Sequence, residues 1–230
     1  MQPDQLPFQV ASWLIPLVFA IVLHEISHGW VANAFGDPTA KEQWRLSPNP
    51  IRHVDPVGTV GLPLLLAVSG LPVFGWAKPV PVVAARMRRP RLHMILVALA
   101  GPGMNLLLAL LAAFALAFAL YSPAVPATVP DFWTWFLLEN LRNFLLLNLF
   151  LAVFNMLPVP PFDGGHVVEG LLPRSLAKRY RGLGRYALPI LILLLIVLPM
   201  ISERLNVVAW LVVPPVQVLF DAMTGLAGLR

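Results

Sequence analysis

Residues Phe8–Phe35 read FQVASWLIPLVFAIVLHEISHGWVANAF, an apolar run of 28 positions broken near its end by His24, Glu25 and His28. About 20 apolar residues suffice for a helix to cross a bilayer, so this run is long enough to span. Ionisable groups are expensive inside a membrane helix, and three of them within five positions point to a function rather than to an accident of the surface. Residues four apart share one face of an α-helix, so His24 and His28 can turn ring nitrogens towards one metal ion. Glu25 lies beside that face, close enough to hold a water at the metal and take its proton. A third ligand has to come from elsewhere in the chain.

The composition supports the membrane setting. Of 230 residues, 58% are hydrophobic and 12% charged, and the mean hydropathy is +0.77. Soluble domains carry about 25% charged residues, so the chain reads as an integral membrane protein. It has no cysteine, which excludes disulfides, thiolate metal sites and a cysteine nucleophile, and leaves histidine and carboxylate as metal ligands. The net charge of +5 sits between apolar segments, a pattern that fits an anionic leaflet and not nucleic acid. Residues 1–7 hold Asp4 and no lysine or arginine, so Phe8–Phe35 is expected to be a retained helix and not a signal peptide. We find no internal repeat.

After Gly36-Asp37-Pro38 comes a polar loop to residue 56 with Lys41, Arg45, Arg52 and His53. Val57–Trp76 is apolar but carries Gly58, Gly61, Pro63, Gly70, Pro72 and Gly75, poor material for a spanning helix. A re-entrant segment or a β-hairpin lining a cavity is expected there. The arginine cluster Arg86, Arg88, Arg89 and Arg91 follows, and its simplest reading is a headgroup anchor. Leu92–Tyr121 and Phe132–Leu157 read as spanning helices, the second with Glu139 and Arg142 placed to pair. Asn155-Met156-Leu157-Pro158-Val159-Pro160-Pro161-Phe162-Asp163-Gly164-Gly165-His166 follows, then a basic loop over 173–185. Tyr186–Ile201 and Leu205–Leu219 close the chain. The expected fold is an all-α polytopic membrane protein of five to six spans, with a re-entrant β-like segment between the first and second. It reads as one domain over 1–230, with a core at about 8–170 and closing helices at about 186–222.

Basic loops at 36–56, 77–91 and 173–185 contrast with 122–131, which has no basic residue. By the positive-inside rule the basic loops face the cytoplasm and the N-terminus lies outside, in a membrane expected to be that of a prokaryotic cell. His24, His28 and Asp163 then reach the same cytoplasmic side. Asp163 follows a helix end broken by prolines, and Gly164-Gly165 lets the backbone approach closely, which makes it the leading third ligand. His166 is a second candidate. Three protein ligands with an open fourth position is the catalytic zinc pattern.

These motifs together resemble the site-2 protease family of intramembrane zinc metalloproteases. His24-Glu25-Ile26-Ser27-His28 is similar to its zinc helix and Gly101-Pro102…Asn105 to its G-P-x-x-N segment. Asn155…Pro158…Pro160…Asp163-Gly164 is similar to its N-x-x-P-x-P-x-x-D-G motif. The matches cover about residues 10–170, in the family's order. The resemblance implies one Zn2+ held by His24, His28 and Asp163, with Glu25 as general base and Asn155 near the reacting carbonyl. It implies a membrane-protein substrate cut near the cytoplasmic face in regulated intramembrane proteolysis; departing from larger members, the 230 residues are expected to be a minimal form without PDZ or CBS domain. It also places re-entrant β-structure at Gly58–Val83, with Gly58 and Gly61 near substrate. Asn105 either faces the site or bonds between helices, and His53 caps the resting zinc, lines the entry or is a solvated loop histidine. A catalytically silent relative and a metal-ion transporter are the competing functions. The intact Glu25 opposes the first, and the lack of repeated halves the second.

Overall fold

A computed structural model describes residues 6–69, 76–122 and 131–229. Among these residues five helices are long and apolar enough to cross a membrane. We label the elements α1 (Leu6–Ala34), α2 (Pro90–Tyr121), α3 (Phe132–Asn155), the short α4 (Asp163–Leu171), α5 (Arg174–Ile201) and α6 (Val208–Leu226). Pro90 opens α2 at a first-turn position, where its missing N–H has no cost. The Asp131 carboxylate caps α3 by accepting from the Thr134 N–H at 2.9 Å.

Helices α1 and α3 run parallel, with α2 antiparallel beside them. Phe8 meets Phe132 and Phe136 edge to face, at 5.7 and 5.5 Å between centroids, and lower down Asn143 Nδ2 donates to Ser12 O at 2.9 Å. Ala109, Ala112 and Ala113 of α2 are buried against Leu145 and Leu149 of α3. Small side chains let two backbones approach closely, which is how helices pack where lipid supplies no hydrophobic drive. A second cluster ties the closing helices to the rest: Leu191 of α5 and Val212 of α6 pack with Leu157 and Phe162 at the exit of α3. Outward lie Trp13, Phe19, Phe114, Phe118 and Trp210, an apolar surface suited to lipid.

The described residues do not form the expected re-entrant β-like segment. No strand occurs among the described residues, and Pro56–Gly61 and Leu62–Val68 are helical. The physical reason stands at the segment's start. Asp55 caps it by accepting from Val57 N–H at 3.0 Å and Gly58 N–H at 2.6 Å, and Pro56 occupies the first turn. That start signal outweighs the glycines behind it. Residues 70–75 lie outside the described residues, but the chain has come back by Trp76, whose N–H donates to Gly58 O at 3.1 Å. From there to Val83 it is extended without strand partners. The expected basic loop at 173–185 is also helical: α5 starts at Arg174, twelve residues before its apolar part. Two arginines of the expected headgroup anchor are tied into the protein. Arg86 pairs with Glu42 at 2.9 Å, and Arg91 reaches the end of α4. His93, two residues on from Arg91, is buried and stacked on Phe35 at 4.1 Å. Glu139 and Arg142 lie 3.9 Å apart, as their spacing suggested.

Candidate metal centre

Helices α1 and α2 cross at Gly101. A Cβ placed there would stand 2.5 Å from His24 Nε2 and Cε1 and from His28 Cε1, so only glycine lets the α2 backbone lie against the two rings. The rings are buried and meet edge to face, with their Nε2 atoms 3.1 Å apart. Asp163, the first residue of α4, completes the cluster. Its Oδ2 is 3.1 Å from His24 Nε2 and its Oδ1 is 3.4 Å from His28 Nε2, and the three ligand-type groups lie within 4.8 Å of one another.

The carboxylate is held at both ends of its short helix. Gly164 packs directly on the Met156 and Leu157 backbone, where any side chain would collide. At the far end Arg91 Nε donates to Gly170 O at 2.6 Å, and its Nη2 donates to Leu172 O. These carbonyls are among those a helix C-terminus leaves without partners.

The ring edges facing away from the cluster are also engaged. His28 Nδ1 bonds Val97 O at 2.7 Å, and a carbonyl only accepts, so Nδ1 carries the proton and Nε2 of the neutral ring a lone pair. His24 Nδ1 faces Asn105 Oδ1 at 2.5 Å. Asp163 Oδ2 is buried and has no hydrogen-bond donor. Two nitrogen lone pairs and a carboxylate therefore converge with no proton donor between them, and a cation is what this set lacks. Two imidazoles and one carboxylate, each oriented from behind, suit zinc.

Glu25, beside His24, is half-buried, and its Oε2 accepts from Val80 N–H at 2.8 Å. Val80 belongs to an extended strap that is well tied. Lys78 N–H donates to His53 O at 2.8 Å, and Val83 N–H donates to Asp37 Oδ2 at 2.5 Å. The buried Arg45 donates through Nη2 to Lys78 O at 2.6 Å and Pro79 O at 3.3 Å.

The remaining expected site residues divide as follows. Asn105 is fully buried behind His24, so it bonds between helices and does not face substrate. His53 is buried, not solvated, and its Nε2 bonds Ser47 O at 3.0 Å outside the cluster. His166 is exposed on α4 and outside the cluster. Asn155 Nδ2 donates to Leu151 O on its own helix at 3.0 Å. Gly58 makes room for the Trp76 indole, and Gly61 is exposed.

With this geometry in hand, comparison with known proteins is informative. The model of Peptidase family M50 matches residues 12–135 and 131–198, most of the chain. The chain belongs to peptidase family M50. A Bacillus subtilis relative named "Putative zinc metalloprotease YwhC" is 39% identical over 199 residues, 84% of this chain and 84% of that one. "Putative zinc metalloprotease Rip2" of Mycobacterium tuberculosis H37Rv is 32% identical over 203 residues, 88% of this chain and 71% of its own length. The protein of the same name from Mycolicibacterium smegmatis is 31% identical over 163 residues, 70% and 55%. No solved structure matches.

Sequence reasoning missed three residues around the centre of this M50 member. Asn148 bonds Asn105, and its signal was its type: an amide in an apolar helix asks for a partner. Arg45 and Arg91 carried no such signal, because a lone arginine in a basic loop looks like any other.

Proposed function

We propose that this M50 member is an intramembrane zinc metalloprotease that hydrolyses peptide bonds of membrane-embedded proteins near the cytoplasmic face. One observation carries the reading: His24, His28 and Asp163 converge at the end of an apolar helix, with the Glu25 carboxylate next to them. A bound zinc ion supplies Lewis acidity to a scissile carbonyl and acidifies a water beside it.

The chain's own groups do the rest. Val80 N–H holds Glu25 Oε2, which leaves the other carboxylate oxygen to take a proton from the attacking water. As the water oxygen bonds to the carbonyl carbon and the C–N bond breaks, Glu25 hands that proton to the departing amide nitrogen. Asn155, at the end of α3, serves to orient the substrate once its amide leaves Leu151 O. A substrate helix hides its peptide groups in i→i+4 bonds, so it has to unwind locally before it can be cut.

Support for this orientation comes from the basic segments, which by the positive-inside rule favour an outside N-terminus and a centre towards the cytoplasm. Regulated intramembrane proteolysis is the process this fits, with one Zn2+ per chain. Zinc stoichiometry measured together with cleavage of a single-span reporter tests the proposal. One zinc per chain and a cut near the cytoplasmic end of the reporter are expected. Zinc uptake without any cleavage refutes the protease assignment.

A further inference from the structure

We propose that Asn148 is a positioning residue that decides, through Asn105, which nitrogen of His24 is offered to the metal. The inference rests on the zinc centre proposed above and extends it to a residue on a third helix.

The chain of hydrogen bonds has its far end on α3. Phe144 O is a backbone carbonyl and can only accept. Asn148 Nδ2 donates to it at 2.8 Å, which fixes the amide and turns Asn148 Oδ1 towards α2. There Oδ1 accepts from Asn105 Nδ2 at 2.8 Å. The same nitrogen lies 3.4 Å from Ala20 O, a second pure acceptor on α1. With its NH2 group thus committed, Asn105 presents Oδ1 to His24 Nδ1 at 2.5 Å. That oxygen demands a proton on Nδ1, which leaves the Nε2 lone pair facing His28 and Asp163.

The reverse orientation has a visible cost. If the Asn105 amide were rotated, its NH2 would face Nδ1 and its oxygen would oppose both Ala20 O and Asn148 Oδ1. Asn105 and Asn148 are fully buried, with no solvent exposure, so water cannot relieve that opposition. The polarity of the line is therefore set by two backbone carbonyls, Phe144 O acting through Asn148 and Ala20 O at the longer distance, and is delivered to a ligand on α1. Amides between membrane helices often serve only as glue, and the proposal differs from that in a measurable way.

The test compares zinc affinity, by chelator competition in detergent, for the wild type, Asn148→Leu and Asn148→Asp, with metal-free melting temperatures alongside. Asn148→Leu removes the nearer acceptor and leaves only the 3.4 Å contact to Ala20 O to hold the Asn105 amide, so zinc affinity should fall by about 10–100-fold. In Asn148→Asp the buried carboxyl takes up a proton. Its carbonyl oxygen still accepts from Asn105 and its hydroxyl donates to Phe144 O, so affinity should stay within about threefold of wild type. If Asn148→Leu binds zinc as tightly as wild type while only its metal-free melting temperature drops, the residue is glue and the proposal is wrong. Equal losses in both variants also overturn it, because polarity would then not matter.

Where Asn148→Leu does not fold, ring 15N shifts of His24 in zinc-loaded wild type decide. Metal on Nε2 with a proton on Nδ1 is expected, and metal on Nδ1 overturns the proposal. A wild type that takes up no zinc overturns both this inference and the protease reading, whereas tight wild-type binding with an indifferent Asn148→Leu overturns this one alone.

Discussion

Replacing Gly101 with alanine puts a methyl group into the crossing of α1 and α2. Its carbon would lie 2.5 Å from His24 Nε2 and from His28 Cε1, where ordinary contact starts at 3.4 Å. The rings would have to yield by about 0.9 Å, or the helices would have to part by as much. Neither ring is free to move, because His24 is bound through Nδ1 to Asn105 and His28 through Nδ1 to Val97 O. Metal–ligand distances tolerate only about 0.2 Å. Gly101→Ala should therefore weaken zinc binding by about 100-fold or more, which is about 2.7 kcal/mol. The fold should survive, since alanine favours a helix interior over glycine by about 1 kcal/mol, which offsets part of the crowding. The control is Gly103→Ala, two residues on in the same helix, where an added Cβ meets nothing within 4 Å. Chelator competition on both purified variants is the assay. Wild-type affinity in Gly101→Ala, or an equal loss in Gly103→Ala, would refute the reasoning.

Arg45→Ala releases the Lys78 and Pro79 carbonyls and with them the strap that presents Val80 N–H to Glu25. The cleavage rate should drop about 10-fold at unchanged zinc affinity, and parallel losses of both would contradict that. Burial pushes the Asp37 carboxyl up, but donation from Thr39 Oγ1, the Val83 and Thr39 N–H groups and the Arg86 charge outweigh it and hold the carboxyl below the usual carboxylate range. A depressed folded pKa gives stability that is complete above the unfolded value, about 3.9, and is lost as pH falls through the folded one. Melting temperatures between pH 3 and 7 should therefore fall less steeply at the acid end in Asp37→Asn than in wild type, and parallel curves would count against the assignment. Stripping zinc with a chelator should lower the melting temperature, because a ligand at 100 times its Kd stabilises by about 2.7 kcal/mol. Reloading should restore it, and a melting temperature indifferent to zinc would place the ion elsewhere.

The residues proposed to carry the chemistry were legible because their types are costly where they stand. His24, Glu25 and His28 sit on one helix at a spacing that geometry converts into a shared face. The charge pattern of the loops brought Asp163 to the same level, and the parallel run of α1 and α3 agrees with that. What misled was weighing internal glycines and prolines above a helix start. Asp55-Pro56 begins a helix that runs on through Val68, where β-structure was expected. Hydropathy alone also hid the first turns of α5, where arginines read as loop. The orienting partners were harder still. Asn148, Arg45 and Arg91 act through hydrogen bonds to residues between 33 and 81 positions away, which no local pattern reveals.

The Glu25→Gln variant puts the proposed catalysis to its sharpest trial. Glutamine keeps the shape of the side chain and still offers an oxygen to Val80 N–H, but it cannot take a proton. The measurement is cleavage of a single-span substrate in proteoliposomes, with zinc content determined on the same sample. Glu25→Gln should hold one zinc per chain, as wild type does, and cut at least about 100-fold more slowly. Full cleavage by zinc-loaded Glu25→Gln would contradict the assignment of Glu25 as the general base.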